Sequence, residues 1–435
     1  MSKYVFLCCC VLLLSINAFG ETYESGNFII HSDLDSSYVQ LLQKNAEAYY
    51  RSIKLEYFKN GAGEPLRIYY SNTQADTQNL LDKDGHNVKA GSGCYISFIP
   101  ALYIHRLTDD GKDSGLDPLF CGIARHLIEL DFTNSPVWFK EGLAAFLGER
   151  ARIVNDELII GRPNPWREQI LRDKIENGGV RLNLKHLFST SAEQFSNWDI
   201  GVHFARAFFY WLYEEKHLEE FLNRVAEKGC EFSVLEETSS VPSGKINLEF
   251  TKFVKKDCYA AAYLKDGRQA EDPAEKTQAF LKALELKPYF LPAQFELARC
   301  YYHQKDYENC RANLKQILTD PKSIEYLPAA ELMGDTYYSE KDYLKALEYY
   351  TKANEYSDYY EYKYRIVYKM ANCYYYLKEP DNAKSWYRKF LDCKWDQERT
   401  KTCADYAQKY IQYINALAAE QERNKIPIIQ KLISK

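Results

Sequence analysis

One pattern occurs three times in the C-terminal half of the chain, at intervals of 36 and 37 residues. Each copy begins with a small residue, namely Ala298, Gly334 or Ala371, and has a tyrosine three residues later and a second small residue twelve residues later. Small side chains at this spacing let two antiparallel helices pack closely, and stacked helical hairpins bury a continuous core. The pattern therefore predicts an all-α solenoid.

The three copies, with a partial copy upstream that ends at Pro288, resemble tetratricopeptide repeats over about residues 272–391. The resemblance implies that the first helix of each repeat lines a concave groove that binds a protein or peptide partner. The residues at groove-facing positions are Arg299, Tyr302, His303, Glu331, Asp335, Tyr338, Tyr368, Asn372, Tyr375 and Tyr376. Tyrosine suits a peptide groove because it offers a large contact area at low entropic cost. Any one of these side chains can instead brace adjacent repeats.

Composition and charge exclude several classes of protein. The 435 residues include 46% hydrophobic and 15% aromatic residues, which is enough to build sizeable cores and excludes a mainly disordered chain. The formal net charge is −5, and there is no long run of lysine and arginine, so we expect no nucleic-acid partner.

The first twenty residues have the features of a signal peptide. Lys3 precedes an apolar run from Tyr4 to Ile16, and Ala18-Phe19-Gly20 fits a cleavage site. No later apolar stretch is long enough to span a bilayer, so we expect an exported mature chain, periplasmic or extracellular, without a transmembrane segment. An uncleaved membrane anchor is the alternative, and lipid attachment through Cys8 to Cys10 is left open.

Nine cysteines follow the predicted cleavage site, and an odd number in a chain of this size does not indicate a disulfide framework. The sequence contains no Cys-x-x-Cys pair, so it signals neither a zinc ribbon nor a thioredoxin-type site. Cys393 and Cys403 are candidates for a disulfide, and the paired and free states both stay open.

The region after the signal peptide reads as mixed α and β structure. Short apolar runs predict strands at Phe28–Ile30, Leu66–Tyr70 and Cys94–Ile99. Asp117-Pro118 and Ser135-Pro136 have the form of helix starts, with a capping residue followed by proline. We expect an α+β domain here, followed by the all-α solenoid.

Two segments of this domain, Gly122–His126 and Pro136–Ala144, resemble a degenerate core of the peptidase MA-like family of gluzincins. In that family the two histidines of HExxH and a later glutamate bind zinc, and the HExxH glutamate is the general base. The resemblance implies vestigial metal positions at His126 and Glu141. Gly122 and Ile123 stand where the first histidine and the general base would be. Moving the motif four residues along, so that it begins at His126, loses as many functional groups.

The resemblance therefore implies a pseudo-peptidase with no catalytic residue and no cofactor, because two protein ligands hold zinc weakly and isoleucine accepts no proton. In the simplest interpretation, His126 and Glu141 form a buried hydrogen-bonded pair. A non-standard zinc site built from His126, Glu129 and Glu141 is the alternative.

We predict an exported scaffold that combines a catalytically degenerate zinc-peptidase-like domain with a protein-binding tetratricopeptide solenoid. The first alternative is an active zinc metallopeptidase whose repeats recruit substrate. The second is an N-terminal remnant beside repeats that carry the whole function. The predicted boundaries are 1–20 for the signal peptide, 21–250 for the peptidase-like domain, 251–271 for a connector, 272–395 for the repeats and 396–435 for a capping helix.

Overall fold

The structure is a computed structural model, and the predicted signal peptide and Cys393 lie outside the residues that it describes. The described residues are 21–59, 63–106, 116–154, 157–239, 241–321, 323, 325–355, 363–392, 401–416 and 419. They divide into two compact units, and the boundary between Asp266 and Gly267 falls inside the predicted connector 251–271. Within the described ranges, each helix is too short or too polar to cross a bilayer.

The described residues of the first unit include a mixed sheet of five strands in the order β1-β2-β3-β5-β4. The strands are β1 (Glu21–Glu24), β2 (Phe28–Ser32), β3 (Leu66–Ser71), β4 (Gly93–Ile96) and β5 (Ala101–His105). Strands β2, β3 and β5 are parallel, whereas β1 and β4 pair antiparallel with their neighbours. Alternate residues of β2 and β3 are buried, as expected for strands with one face on a core.

Helices lie between and after the strands and make up most of the described residues of the first unit. They are α1 (Ser36–Tyr57), α2 (Gln74–Lys83), α3 (Asp117–Asp131), α4 (Val137–Gly148), α5 (Pro165–Glu176), α6 (Leu184–Ser189), α7 (Ala192–Ser196), α8 (Gly201–Glu214), α9 (Leu218–Lys228), α10 (Phe232–Thr238) and α11 (Ser243–Phe253). Two short strands, β6 (Arg152–Val154) and β7 (Glu157–Ile159), pair antiparallel. A π-helical turn, Val254–Cys258, leads into α12 (Tyr259–Gln269), which contains the boundary between the units.

Helices α3, α4 and α8 form the part of the core that positions the candidate site. Both predicted helix starts are observed one residue from the expected place: Leu116 rather than Asp117 precedes α3, and Pro136 rather than Ser135 precedes α4. Gly142 faces Ala205 of α8 so closely that a Cβ atom at 142 would lie 2.5 Å from the Ala205 Cβ and 2.9 Å from its carbonyl carbon. Glycine at this position therefore sets the spacing of α4 and α8.

The second unit consists of antiparallel helix pairs. Its helices are α13 (Pro273–Leu286), α14 (Leu291–His303), α15 (Tyr307–Ile317), α16 (Tyr326–Ser339), α17 (Tyr343–Glu355), α18 (Lys363–Tyr376), α19 (Pro380–Asp392) and α20 (residues 401–416). Successive pairs α14/α15, α16/α17 and α18/α19 pack within each pair and against the next pair. Of the predicted capping helix 396–435, the structure describes residues 401–416 and 419, and Ala407 and Ile414 of α20 pack on the core of the last pair.

We predict that Gly142→Ala destabilises the first unit by about 1–3 kcal/mol, because the Ala205 backbone blocks the new methyl group. Urea denaturation followed through tryptophan fluorescence measures the effect. Gly244→Ala is the matched control: it also lies in a helix, has no atom within 4 Å of its added Cβ, and should be neutral or stabilising by up to about 1 kcal/mol. Equal unfolding midpoints for the two variants would contradict the predicted close contact.

Candidate functional site

A cleft of about 450 Å³ opens in the first unit beside edge strand β4. Helix α3 lines it with Pro118, Cys121, Gly122 and Arg125, which follow one another at the spacing of a single helical face. Glu141 of α4 lines the same cleft. The remaining wall comes from strand β4 and its flanks, from the C-terminal half of α4 and from the beginnings of α5 and α8.

Arg125, one residue before the predicted metal position His126, is the side chain that faces Glu141. Its Nη1 lies 2.8 Å from Glu141 Oε1 in an ion pair without hydrogen-bond geometry, and its Nε donates to Glu129 Oε1 at 3.1 Å. Lys140 Nζ donates to the other oxygen of Glu129 at 2.5 Å. Two cations therefore occupy the carboxylates that the alternative zinc site would use.

His126 is buried, and its Nδ1 lies 3.3 Å from the hydroxyl of Tyr95. The expected hydrogen-bonded pair of His126 and Glu141 is therefore replaced by two separate contacts, His126 with Tyr95 and Glu141 with Arg125. The physical reason is that adjacent helical residues point about 100° apart, so His126 lies off the face that Arg125 presents. Burial lowers the pKa of His126, which favours the neutral imidazole.

The two positions predicted to lack catalytic groups are closed by packing. A Cβ atom at Gly122 would lie 2.4 Å from Cδ1 of Leu102, and Ile123 is fully buried. Among the described residues, no group of three or more histidine, cysteine, aspartate or glutamate side chains is arranged to hold a metal ion.

Sequence reasoning missed a buried charge network, two members of which, Glu149 and Arg167, line the cleft. Arg167 Nε donates to both oxygens of Glu149 at 2.7 Å, and Arg206 Nη1 donates to Glu168 Oε1 at 2.8 Å. Burial alone would raise the pKa of Glu149, but the hydrogen bonds and charge of Arg167 and the charge of Arg206 lower it. Glu149 is thus held as an anion and is a weak proton acceptor.

Burial also shifts the pKa values of two further titratable groups near this network. Burial raises the pKa of the Cys121 thiol well above its usual value, so the thiol stays protonated. Burial, with the charge of Arg167, lowers the pKa of His203 to about 4. The lining of the cleft therefore combines paired charges with a protonated thiol.

The ten residues of the predicted groove lie on α14, α16 and α18 of the second unit, and we call the face that they form the groove. Arg299, His303 and Tyr376 are exposed, and Glu331 is buried. The other six residues are partly buried. Their contacts show which of them brace the repeats.

Glu331 and Asp335 are tied to the next repeat. Arg365 donates to both oxygens of Glu331 at 2.6 Å, and Lys369 Nζ donates to Glu331 and to Asp335 at 2.7 Å. Burial would raise the pKa of Glu331, but the charges of Lys369 and Arg365 lower it overall. The ionised carboxylate therefore stabilises the fold above its unfolded-state pKa, and this contribution is lost as the pH falls through the lower folded-state value.

One hydrogen bond recurs inside two of the repeats. The hydroxyl of Tyr350 donates to Asp335 at 2.6 Å, and the hydroxyl of Tyr387 donates to Asn372 at 2.7 Å. Each tyrosine lies fifteen residues after its acceptor, and both tyrosines are buried. At the equivalent positions of the first repeat, Leu314 stands for the tyrosine and Arg299 for the acceptor, so this bond is not formed there.

The predicted groove tyrosines also make contacts between repeats. The Tyr302 hydroxyl lies 3.3 Å from Ser339 Oγ, and the ring of Tyr338 lies 6.0 Å from that of Tyr376. The ring of Tyr375 lies 4.7 Å from that of Tyr410 on α20. These tyrosines therefore brace adjacent helices, as the alternative interpretation of the groove allowed.

Four charged residues next to the groove were missed by sequence reasoning: Arg268, Glu296, Arg365 and Lys369. Arg268 Nε donates to Glu296 Oε1 at 2.8 Å, and Arg299 Nη1 donates to Glu296 Oε2 at 3.0 Å. For Glu296, Arg365 and Lys369 the one sequence signal is a position next to, or one helical turn from, a groove position, and Arg268 on α12 carries no such signal. That signal does not say which charges are buried.

Comparison with known protein families matches the tetratricopeptide repeat to residues 292–323, 327–359 and 364–392. The predicted tetratricopeptide repeats are thereby confirmed within residues 292–392. No match was found among curated proteins. Among solved structures, a crystal structure of MamA is similar, with 19% sequence identity and a TM-score of 0.28, covering 37% of this chain and 96% of that chain. Repeats of this kind indicate a scaffold that binds protein partners.

We predict that Tyr350→Phe destabilises the second unit by about 1.5–3 kcal/mol, since it removes a buried hydrogen bond to a carboxylate. Tyr387→Phe removes a bond to a neutral amide and should cost about 0.5–1.5 kcal/mol. Tyr413→Phe, which changes an exposed tyrosine, is the control and should alter stability by less than about 0.5 kcal/mol. Denaturation followed by far-ultraviolet circular dichroism gives the order, and a Tyr350→Phe variant as stable as the control would refute the bond's role.

Proposed function

We propose that this chain is an exported scaffold whose tetratricopeptide repeats bind a protein or peptide partner and whose first unit is a catalytically inactive relative of the gluzincin peptidases. The observation that carries the proposal is the run of three matched repeats, whose groove keeps exposed arginine, histidine and tyrosine side chains. Exposed side chains on rigid helices suit recognition, because binding them orders few additional groups.

Absence of peptidase activity is supported by the arrangement of the cleft. Glu141, the position that the resemblance assigns to a metal ligand, is engaged by Arg125. A guanidinium carries its own positive charge and repels a divalent cation from the same carboxylate. A water nucleophile also lacks a base there, because Ile123 is buried and aliphatic.

Export is supported by the sequence of residues 1–20 alone, and it places the mature chain in a periplasmic or extracellular compartment. In this proposal the cleft of the first unit is a second binding surface. Its edge strand β4 pairs with β5 on one side, and residues of β4 line the cleft.

We predict that a photoreactive amino acid at His303 or Tyr368 crosslinks the same partner proteins when the chain is produced in its natural host. The groove hypothesis requires this because both positions lie on first helices of the repeats, two repeats apart. Leu344, an exposed residue on second helix α17, is the matched control and should crosslink none of them. Mass spectrometry of the adducts is the measurement. Equal crosslinking from Leu344 would move the binding surface away from the groove.

We predict that chain purified from the exported fraction begins at Glu21 and holds far less than one zinc ion per molecule. Intact-mass measurement and elemental analysis of a single preparation test both expectations. Glu141→Gln is the control for the metal and should leave the zinc content unchanged. Stoichiometric zinc that chelators remove, and that Glu141→Gln abolishes, would show an active metal site and contradict the pseudo-peptidase proposal.

A further inference from the structure

We infer that the partner segment is acidic: the groove binds a peptide carrying several aspartate or glutamate side chains through Arg268 and Arg299, with Arg365 and Lys369 continuing the contact on the third repeat. This inference rests on the proposed protein-binding function and adds to it the chemistry of the partner. It is supported by the burial of acidic side chains on the first helices of the repeats, and by the exposure of basic side chains there and on α12.

The first cluster places two arginines over one buried carboxylate. The side chain of Glu296 is 11% exposed, whereas those of Arg268 and Arg299 are 37% and 51% exposed. Their bonds to Glu296, at 2.8 Å and 3.0 Å, use a single N–H group of each guanidinium. The cluster carries a net charge of one positive unit, and its positive groups are the outermost.

The absence of a tyrosine in the first repeat contributes to this arrangement. In the second and third repeats, a buried tyrosine hydroxyl occupies the inner side of the position equivalent to Arg299. Leu314 stands at that place in the first repeat and donates no hydrogen bond. Arg299 is therefore held from one side, by Glu296, and its exposed half faces solvent.

In the second cluster, too, the cations are more exposed than the carboxylate of Glu331. The side chain of Glu331 is 4% exposed, and those of Arg365 and Lys369 are 44% and 23% exposed. Asp335 also accepts from Lys369, so this cluster is neutral in total. The Glu331 carboxylate lies beneath these cations, whereas the Asp335 side chain, 21% exposed, is about as exposed as that of Lys369. Arg365 is therefore the outermost charge of this cluster.

An acidic peptide is the partner that this surface fits best. Guanidinium groups bind carboxylates in a planar, two-bond geometry, and they lose less entropy when their position is already fixed by a buried acid. Because the cations lie on α12, on the first repeat and on the third repeat, several carboxylates along one extended chain match them better than one terminal carboxylate does. A basic peptide would instead meet the outermost arginines of the first cluster as like charges.

The test measures binding of three fluorescent decapeptides to the full-length mature chain by anisotropy. The probes alternate alanine with glutamate, glutamine or lysine. We expect the glutamate probe to bind most tightly, and its affinity to fall as salt is raised. Arg299→Gln should weaken it about three- to tenfold, and Arg299→Lys should restore part of the loss.

The matched control is Lys352→Gln, which removes an exposed, paired cation from second helix α17. It should leave binding of the glutamate probe unchanged. Glu296 keeps Arg268 when Arg299 is replaced, so Arg299→Gln is expected to remain folded, and circular dichroism checks this.

The outcomes separate the acidic partner from the proposed function. If the glutamate and glutamine probes bind alike, or if Arg299→Gln and Lys352→Gln act equally, the acidic partner is wrong while groove binding stands. If no probe binds, the acidic partner is also wrong, and crosslinking from His303 and Tyr368 then decides whether the groove binds protein at all.

Discussion

Close approach of helices at residues with little or no side chain is the constraint on which both units depend. In the first unit, Gly142 brings α4 against Ala205 of α8. In the second, a Cβ atom at Gly334 would lie 2.5 Å from Cε1 of the Tyr350 ring. Each close contact also positions a polar group. Glu141 on α4 lines the cleft, and the Tyr350 hydroxyl donates to Asp335. Backbone spacing therefore determines which polar side chains meet.

The repeat spacing made the second unit readable from the sequence, because small residues and tyrosines at fixed intervals report helix contacts within one hairpin. Which groove residues are exposed and which pack against other repeats was harder to predict. Glu331 and Tyr338 stand at positions that face the groove, yet one is buried by Arg365 and the other packs on Tyr376. Those partners lie more than thirty residues away, and a position within a repeat does not specify what the next repeat places against it.

The first unit shows a different limit. The strands at β2 and β3 were predictable from short apolar runs bounded by turn residues, but β5 was not predicted. For α3 the sequence correctly predicted a helix, but it pointed to His126, whereas Arg125 is the residue that faces Glu141. His126 and Arg125 are neighbours in the chain, and in the folded helix Gly122 packs against Leu102 while Arg125 reaches Glu141. One residue separates the position predicted as a metal ligand from the position that forms the ion pair.

The cluster around Arg125 in the first unit and the cluster around Arg299 in the second differ in how their charge is balanced. Arg125 has two carboxylate partners, Glu129 and Glu141, and the cluster that these form with Lys140 is neutral. Arg299 shares the single carboxylate of Glu296 with Arg268, which leaves one positive charge in excess at the surface. Since a carboxylate ligand gains most where a cation is positioned but not neutralised, the excess charge separates the two clusters. The Arg125 cluster stabilises the packing of α3 against α4, and the Arg299 cluster is available to a partner.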